Sequence, residues 1–149
     1  RELSFVDLGC GLGRACLVAA DYGFARVRGV EIVPEFCRQA EANASSFTAA
    51  RNTGSTIEII NLDAVEYTRG TDDDIFFLYR PFDGETLSLV LDNIKTSSAE
   101  RRKKIIIIYS ERIGLKNVNL GVFEAKNIPG FHYDRRAGQD FFLYALAAP

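Results

Sequence analysis

The sequence of 149 residues contains no methionine and no tryptophan, and it has a single histidine and three cysteines. Because methionine is absent and a glycine-rich segment follows only eight residues, we expect that the chain lacks its natural N-terminal segment. The cysteines, Cys10, Cys16 and Cys37, are odd in number and show no C-x-x-C spacing, which is not the pattern of a disulfide framework or a zinc site. We therefore expect no bound metal and a reducing, cytoplasmic location.

The sequence also has no long apolar run and no large excess of one charge. Its 18 Lys and Arg against 20 Asp and Glu give a net charge of -2, which offers no general attraction to nucleic acid or to acidic membranes. The longest apolar stretches, such as residues 141–148, are far shorter than the ~20 residues of a membrane span. With 47% apolar residues, the length suits one soluble domain covering residues 1–149. The oligomeric state stays open.

Short apolar runs alternate with helical periodicity, which predicts a doubly wound, mostly parallel sheet in a three-layer α/β/α arrangement. One helix is predicted over residues 14–22, and a second begins at Pro34. A third begins after Asp83, with a possible solvated end at residues 100–104. The candidate strands are residues 4–8, 26–31, 57–61, 74–79 and 104–109. The predicted apolar faces carry Phe36, Cys37, Ala40 and Ala44 on the second helix, and Leu87, Val90, Leu91 and Ile94 on the third.

The C-terminal part of the chain departs from this alternation. Two β-rich segments within residues 120–147 flank a turn region that contains Pro129, Gly130 and Gly138. This pattern predicts an antiparallel hairpin at the end of the sheet. We assign no catalytic role to His132, which lies in the same turn region.

Three glycines at alternate positions, Gly9, Gly11 and Gly13, follow the first predicted strand. A glycine-rich turn at that point lies at the carboxyl edge of the sheet, where open α/β folds bind their ligands. No GK[ST] segment follows, so a phosphate-binding P-loop is excluded, and the third position of the dinucleotide fingerprint falls on Arg14. By themselves the glycines could also serve only to make the turn.

Glu31 ends the second predicted strand, eighteen residues beyond Gly13. A carboxylate at this place can accept two hydrogen bonds from the vicinal hydroxyls of a ribose. The alternative is a solvated glutamate ahead of a helix. The pairing of glycine loop and acid favours a ribose-containing cofactor without separating one such cofactor from another.

Four segments in this order resemble the class I, Rossmann-like methyltransferases that use S-adenosylmethionine. They are "VDLGCGLGRA", "GVEIVPEF", "NLDAVEY" and "FFLYRPFDG", and the resemblance spans nearly the whole chain, including the predicted hairpin. It implies an enzyme that transfers the methyl group of S-adenosylmethionine to a methyl acceptor, either a small molecule or a protein. The acceptor is not identified by these segments.

The resemblance also implies roles for individual residues in binding the cofactor. Asp7 would face the ammonium group of the methionyl moiety, Glu31 would hold the ribose hydroxyls, and Asp63 would accept a hydrogen bond from the adenine amino group. The cofactor-binding set is completed by Gly9, Cys10, Gly11, Gly13, Ile32 and Ala64, whose backbone N–H would donate to the adenine ring. Acidic groups suit a ligand that carries a sulfonium and an ammonium, whereas they would repel a pyrophosphate. Asp63 could instead be a helix N-cap or a turn residue.

The segment "YRPF" follows the fourth predicted strand, where this family presents its methyl acceptor, so Tyr79, Arg80 and Phe82 are the candidate catalytic residues. Members that methylate amino groups commonly carry Asn or Asp at this place. Arginine has five donors and no acceptor, so it cannot take a hydrogen bond from an attacking amine. Arg80 could clamp a carboxylate or phosphate on the acceptor, or pair with a neighbouring acid, namely Asp72, Asp73 or Asp83. Tyr79 and Phe82 could line an acceptor pocket or belong to the core.

Three alternatives remain. The first two motifs also resemble histone-lysine methyltransferases, which carry an Asn-Asn-Phe type segment where this chain has "YRPF". The chain could instead be a binding module that keeps S-adenosylmethionine without turnover. A module that binds NAD is the third alternative.

Overall fold

The computed structural model describes residues 3–111, 124–125 and 140–146. The strands are β1 (Ser4–Leu8), β2 (Arg26–Glu31), β3 (Thr56–Asn61), β4 (Ile75–Tyr79), β5 (Ile105–Glu111), β6 (Glu124–Ala125) and β7 (Asp140–Leu146). The helices are α1 (Arg14–Tyr22), α2 (Pro34–Ala50), α3 (Ala64–Thr68) and α4 (Gly84–Arg101).

One sheet contains all seven of these strands in the order β3-β2-β1-β4-β5-β7-β6. The first five strands are parallel to one another, and β7 runs antiparallel to both β5 and β6. The strand order reverses between β1 and β4, which makes the carboxyl ends of these two strands the switch point where open α/β sheets bind ligands. The predicted doubly wound α/β fold is confirmed.

The core lies in two layers, one on each face of the sheet. On one face, side chains of β1, β4 and β5 pack against α4, and the buried residues include Val6, Leu8, Phe76, Leu78, Leu87, Val90, Leu91 and Ile94. On the other face, Phe5, Val27 and Ile75 pack with Cys16, Ala19 and Ala20 of α1. Alternate residues of each short central strand therefore enter opposite layers, as the continuous apolar runs predict.

The structure corrects the sequence-based prediction at three places. The helix α3 was not predicted, because its five residues are too few to show helical periodicity. Phe36 was placed on the buried face of α2 but is 43% exposed. Lys103, predicted to be solvated, is largely buried and pairs with Asp74 at 2.9 Å. The turn region around residues 126–139, with Pro129, Gly130, Gly138 and His132, lies outside the described residues, so the hairpin stays a prediction.

A buried polar network holds the loop before β4 against β2 and α3. Asp73 is fully buried and accepts hydrogen bonds from Arg28 Nη1 at 3.0 Å, from Thr71 Oγ1 at 2.9 Å and from the Tyr67 hydroxyl. Arg28 also donates to Glu58 at 3.2 Å. A surface groove of about 490 Å³ runs along these side chains, away from the glycine loop.

The helices of the described part of the chain are also informative about membrane contact. None of them combines the length and the apolar character that crossing a membrane requires.

Candidate active site

The carboxyl ends of four neighbouring strands bring the sequence-predicted polar residues to one edge of the sheet. In the sheet order β3, β2, β1, β4, these residues are Asp63, Glu31, Asp7 and Arg80. Asp7 pairs in register with Gly29, and Glu31 pairs with Asn61, so the strand ends are nearly level. Because adjacent strands lie about 4.8 Å apart, the three acids occupy one continuous strip beside the switch point.

The glycine loop is fixed against β2 and against the loop that follows β4. The backbone N–H groups of Gly9 and Cys10 both donate to the carbonyl oxygen of Val30, at 2.8 and 3.0 Å. Gly9 has a φ of 78°, and a Cβ there would lie 2.6 Å from the Pro81 Cβ. Only glycine satisfies both conditions, since L-residues rarely adopt this φ and no side-chain atom fits. The close approach therefore joins the glycine loop to the "YRPF" segment.

Glu31 is buried and anchored by backbone hydrogen bonds on two sides. Its Oε2 accepts from the Gly11 N–H at 2.9 Å, and its Oε1 accepts from the Val33 N–H at 3.0 Å. Each carboxylate oxygen has a second lone pair, so the group can still accept hydrogen bonds from two ligand hydroxyls. Glu31 is thus an oriented acceptor, and the alternative of a solvated glutamate does not agree with its 8% exposure.

Asp7 lies at the end of β1 and is only 4% exposed. Burial raises the pKa of its carboxyl group from 3.8 to about 7, and the negative charge of Glu31 adds to the increase. Two interacting carboxyl groups therefore meet beneath the glycine loop. A cation placed between them would favour the ionised form of Asp7 and lower its pKa.

Asp63 caps the short helix α3, as the alternative interpretation of the sequence expected. Its Oδ1 accepts a hydrogen bond from the Val65 N–H at 2.7 Å. Within residues 3–111, its second carboxylate oxygen has no hydrogen-bond partner. The neighbouring Ala64 is 6% exposed, and its N–H is not used by the cap. The cap and a contact with an adenine ring are therefore compatible.

Several large apolar side chains are exposed around this strip although burial would be favourable for them. Single exposed apolar residues are ordinary, but a group of them at one sheet edge indicates a binding surface. Six of the ten large exposed apolar residues of the described ranges follow or end these strands, namely Leu12, Ile32, Val33, Phe36, Leu62 and Tyr79. The sequence had indicated Ile32 and Tyr79 among them. The others were missed, although each lies within five residues of a predicted site residue.

Cys10 lies in the glycine loop, but its side chain points into the core. Its sulfur packs beside that of Cys16, and a Cβ at Gly29 would lie 2.8 and 2.9 Å from the two sulfurs. The hydrogen bond between the two thiols, together with burial, raises the pKa of Cys16. Any contact of Cys10 with a ligand in the cleft would therefore come from its backbone.

The three residues of the "YRPF" segment that were predicted to act on the acceptor differ in their surroundings. Tyr79 is 41% exposed at the end of β4, and Phe82 is half-buried against the core next to α4. Arg80 is exposed and has a left-handed φ of 51°. Its backbone N–H donates to the Ser110 carbonyl oxygen at 3.2 Å.

The predicted ion pair between Arg80 and a neighbouring acid is not present in the described ranges. Asp73 pairs with Arg28, and Asp72 lies 3.8 Å from the same guanidinium. Asp83 caps α4 by accepting from the Thr86 N–H at 2.9 Å. Asp72 and Asp73 precede β4 whereas Arg80 follows it, so these two acids lie at the opposite edge of the sheet from Arg80, and Asp83 is used as a helix cap.

Comparison with known proteins shows which family and which solved structures this chain is similar to. A family profile described as "Methyltransferase domain" matches residues 6–99. A search of curated protein sequences finds no match. The protein yhhF from Escherichia coli, described as a candidate methyltransferase, has 18% identity and a TM-score of 0.74, over 99% of this chain and 79% of its own.

Two further solved structures were determined with a bound ligand. An RNA methyltransferase from Salinibacter ruber in complex with S-adenosyl-L-homocysteine has 18% identity and a TM-score of 0.66, over 98% of this chain and 80% of its own. A point mutant of MtNAS in complex with S-adenosylmethionine has 15% identity and a TM-score of 0.68, over 100% of this chain and 56% of its own. At these identities the likeness shows the fold.

Proposed function

This chain belongs to the family of S-adenosylmethionine-dependent methyltransferase domains. We propose that it transfers the methyl group of S-adenosylmethionine to a small-molecule or protein acceptor bound beside β4. The observation that carries this proposal is the strip formed by Asp7, Glu31 and Asp63 at three adjacent strand ends, next to the glycine loop.

The charges of the strip fit S-adenosylmethionine better than a dinucleotide. The cofactor carries a sulfonium and an ammonium, and its single anionic group is a carboxylate. Asp7 and Glu31 are buried beneath the loop, where a pyrophosphate would be repelled by Glu31 and would further disfavour the ionised form of Asp7. An ammonium group near Asp7 would instead compensate the charge that burial disfavours. This comparison supports the methyl donor over NAD.

The adenosyl end of the cofactor would lie over β2 and β3. Glu31 is oriented by the N–H groups of Gly11 and Val33, so its free lone pairs are directed before any ligand binds. Ile32 follows β2 and is 61% exposed, and Leu62 follows the neighbouring β3 and is 40% exposed, so an adenine ring resting on them would cover apolar surface. Asp63 and the Ala64 N–H would form hydrogen bonds with the polar edge of the same ring.

The chain needs no acid and base pair to assist the transfer. When bound, S-adenosylmethionine supplies a methyl group on a sulfonium, which is a good leaving group. The contribution of the protein is to place the acceptor atom in line with the methyl group and to exclude water from it. Gly9 and Pro81 bring the cofactor loop and the acceptor segment into direct contact, which supports this positioning role.

Calorimetry on the natural chain tests the choice of cofactor. We expect S-adenosylmethionine and S-adenosylhomocysteine to bind and NAD not to bind. Binding of NAD without binding of S-adenosylmethionine would overturn the proposal. Turnover is tested by incubation with methyl-labelled S-adenosylmethionine and separate small-molecule and protein fractions of a cell extract. Cofactor binding without label transfer to either fraction would assign a binding module instead.

A further inference from the structure

Two non-glycine residues of the described ranges have a left-handed backbone, and their situations differ. Arg102, with a φ of 49°, is the C-cap of α4, and its N–H and that of Lys103 bond the last helical carbonyls. This is an ordinary way to end a helix. Arg80, with a φ of 51°, follows a strand and precedes a proline, where no helix end calls for this conformation. Unfavourable backbone conformations of this kind concentrate at functional sites.

The conformation of Arg80 is held on both sides. Its own N–H donates to the Ser110 carbonyl oxygen at 3.2 Å, and the following Pro81 packs against Gly9. The backbone of Arg80 is therefore fixed relative to the glycine loop. A side chain that starts at this point begins next to the place where the methyl donor would lie.

The guanidinium of Arg80 has no ion pair and no hydrogen bond within residues 3–111. Asp72 and Asp73 lie at the other end of β4, and Asp83 is used as the cap of α4. The exposed guanidinium thus keeps all its donors available at a sheet edge whose neighbouring strand ends carry the acids Asp7 and Glu31.

A second polar group with an unfilled hydrogen bond belongs to Ser110, whose carbonyl oxygen accepts from the Arg80 N–H. Ser110 is fully buried, and its hydroxyl has no hydrogen-bond partner in the described structure. It is the register partner of Tyr79, so the two side chains share one face of the sheet at its carboxyl edge. A buried hydroxyl without a partner is uncommon in folded proteins, and a bound ligand is one explanation for it.

We propose that Arg80, assisted by the Ser110 hydroxyl, binds a carboxylate or phosphate group of the methyl acceptor. This inference rests on the proposed function, because it assigns the acceptor to the same cleft. Arginine offers paired donors that match these anions, and it has no atom that could accept a proton or hydrogen bond from the nucleophile. Arg80 is therefore a specificity residue, and the acceptor is a small acid or phosphate ester. A nucleic acid is disfavoured by the net charge of -2.

Defined anions on the natural chain saturated with S-adenosylhomocysteine test this assignment. The probes are benzoate, phenyl phosphate and the neutral benzamide, titrated by NMR or calorimetry. We expect one of the two anions to bind at least tenfold more tightly than benzamide, and the tighter anion identifies carboxylate or phosphate. Arg80→Gln should remove this preference, while Arg80→Lys should retain part of it. Equal binding of benzamide and both anions, or an unchanged preference in Arg80→Gln, would overturn the assignment.

Two controls keep the outcomes distinct. Arg102→Gln removes an exposed guanidinium from a residue of the same backbone conformation away from the cleft, and it should leave the anion preference unchanged. Arg80→Gly relieves the backbone strain, so it provides a folded variant without the guanidinium if Arg80→Gln does not fold. Failure of S-adenosylhomocysteine to bind would reject the proposed function itself. Binding of S-adenosylhomocysteine without an effect of Arg80 would reject only the role of this residue.

Discussion

The carboxylate of Glu31 accepts a hydrogen bond from the backbone N–H of Gly11 at 2.9 Å, so the end of β2 and the loop after β1 form one unit. The second oxygen of the same carboxylate accepts from the Val33 N–H, which leads into α2. One side chain thus positions the loop and the start of a helix while remaining available to a ligand. The glycine loop and Glu31 therefore form one structural unit.

Replacing Glu31 with Gln should weaken S-adenosylmethionine binding about tenfold to a hundredfold. The amide removes the charge and presents an NH₂ group toward either the Gly11 or the Val33 N–H, and hydrogen bonds to charged groups contribute about 1.5–3 kcal/mol. Calorimetry measures the change. The matched control is Glu41→Gln on the exposed side of α2, which should bind as the unmodified chain does. An unchanged affinity in Glu31→Gln would remove Glu31 from the site.

Asp7 should make the stability of the ligand-free protein depend on pH. Its pKa is raised from 3.8 to about 7 by burial and by Glu31, so between these values the folded state holds a proton that the unfolded chain has released. The free energy of unfolding therefore falls as pH rises through this window, and Asp7 destabilises the fold by about 4 kcal/mol above it. Asp7→Asn should remove this fall, and denaturation at pH 4 and pH 8 measures it.

Asp7→Asn should weaken cofactor binding, although it should stabilise the ligand-free protein at high pH. At pH 8 the variant is expected to be more stable than the unmodified chain and yet to bind S-adenosylmethionine more weakly, because the ammonium group loses its partner. The exposed Asp92→Asn serves as the control and should change neither property. A variant that is more stable and binds equally well would show that Asp7 is a buried acid without a role in binding.

Gly9→Ala should be more destabilising than Gly70→Ala, although both glycines have a φ above 70°. At Gly70 an added Cβ meets nothing within 4 Å, so only the left-handed strain of about 1–2 kcal/mol applies. At Gly9 the Cβ would also lie 2.6 Å from the ring of Pro81, and overpacking adds about 1–3 kcal/mol. Urea denaturation of both variants measures the difference. Equal destabilisation would mean that the two loops separate easily.

Much of the fold could be predicted from the sequence because the strands of a parallel sheet are continuous apolar runs. The runs that became β1, β4 and β5 were recognisable for this reason, and the pairing of β1 with β2 then placed Asp7 beside Glu31. The helix α3 was missed because five residues carry too little periodic signal.

Residues whose state depends on tertiary partners could not be predicted in the same way. Lys103 lies in a run of charged residues that predicts a solvated side chain, but it forms a buried ion pair with Asp74, which is distant in sequence. The pairing of Arg28 with Asp73 likewise joins residues that are far apart in the sequence. Neither pairing leaves a local pattern in the sequence, since each joins residues that are close only in the folded chain.

Asp73→Ala should lower the free energy of unfolding by about 3–5 kcal/mol. The fully buried carboxylate holds Arg28, Thr71 and the Tyr67 hydroxyl, and its loss leaves a partly buried guanidinium without its main partner. Asp72→Ala is the control, since its carboxylate is 44% exposed and lies 3.8 Å from Arg28, and it should cost less than about 1 kcal/mol. Similar losses in the two variants would contradict the buried network. Chemical denaturation with both variants decides between these results.

Alanine substitution should lower the stability of the protein at Ser98 and raise it at Ser110. The Ser98 hydroxyl donates to the Lys103 carbonyl oxygen at 2.6 Å, so Ser98→Ala should destabilise the fold by about 1 kcal/mol. The Ser110 hydroxyl has no partner in the described structure, and its removal should stabilise the ligand-free protein by about 1 kcal/mol. The same Ser110→Ala variant should bind the acceptor anion more weakly, because the hydroxyl is then absent where the ligand would use it. If Ser110→Ala destabilised the protein as much as Ser98→Ala, the Ser110 hydroxyl would already have a hydrogen-bond partner in the ligand-free protein. It would then not be available to a ligand.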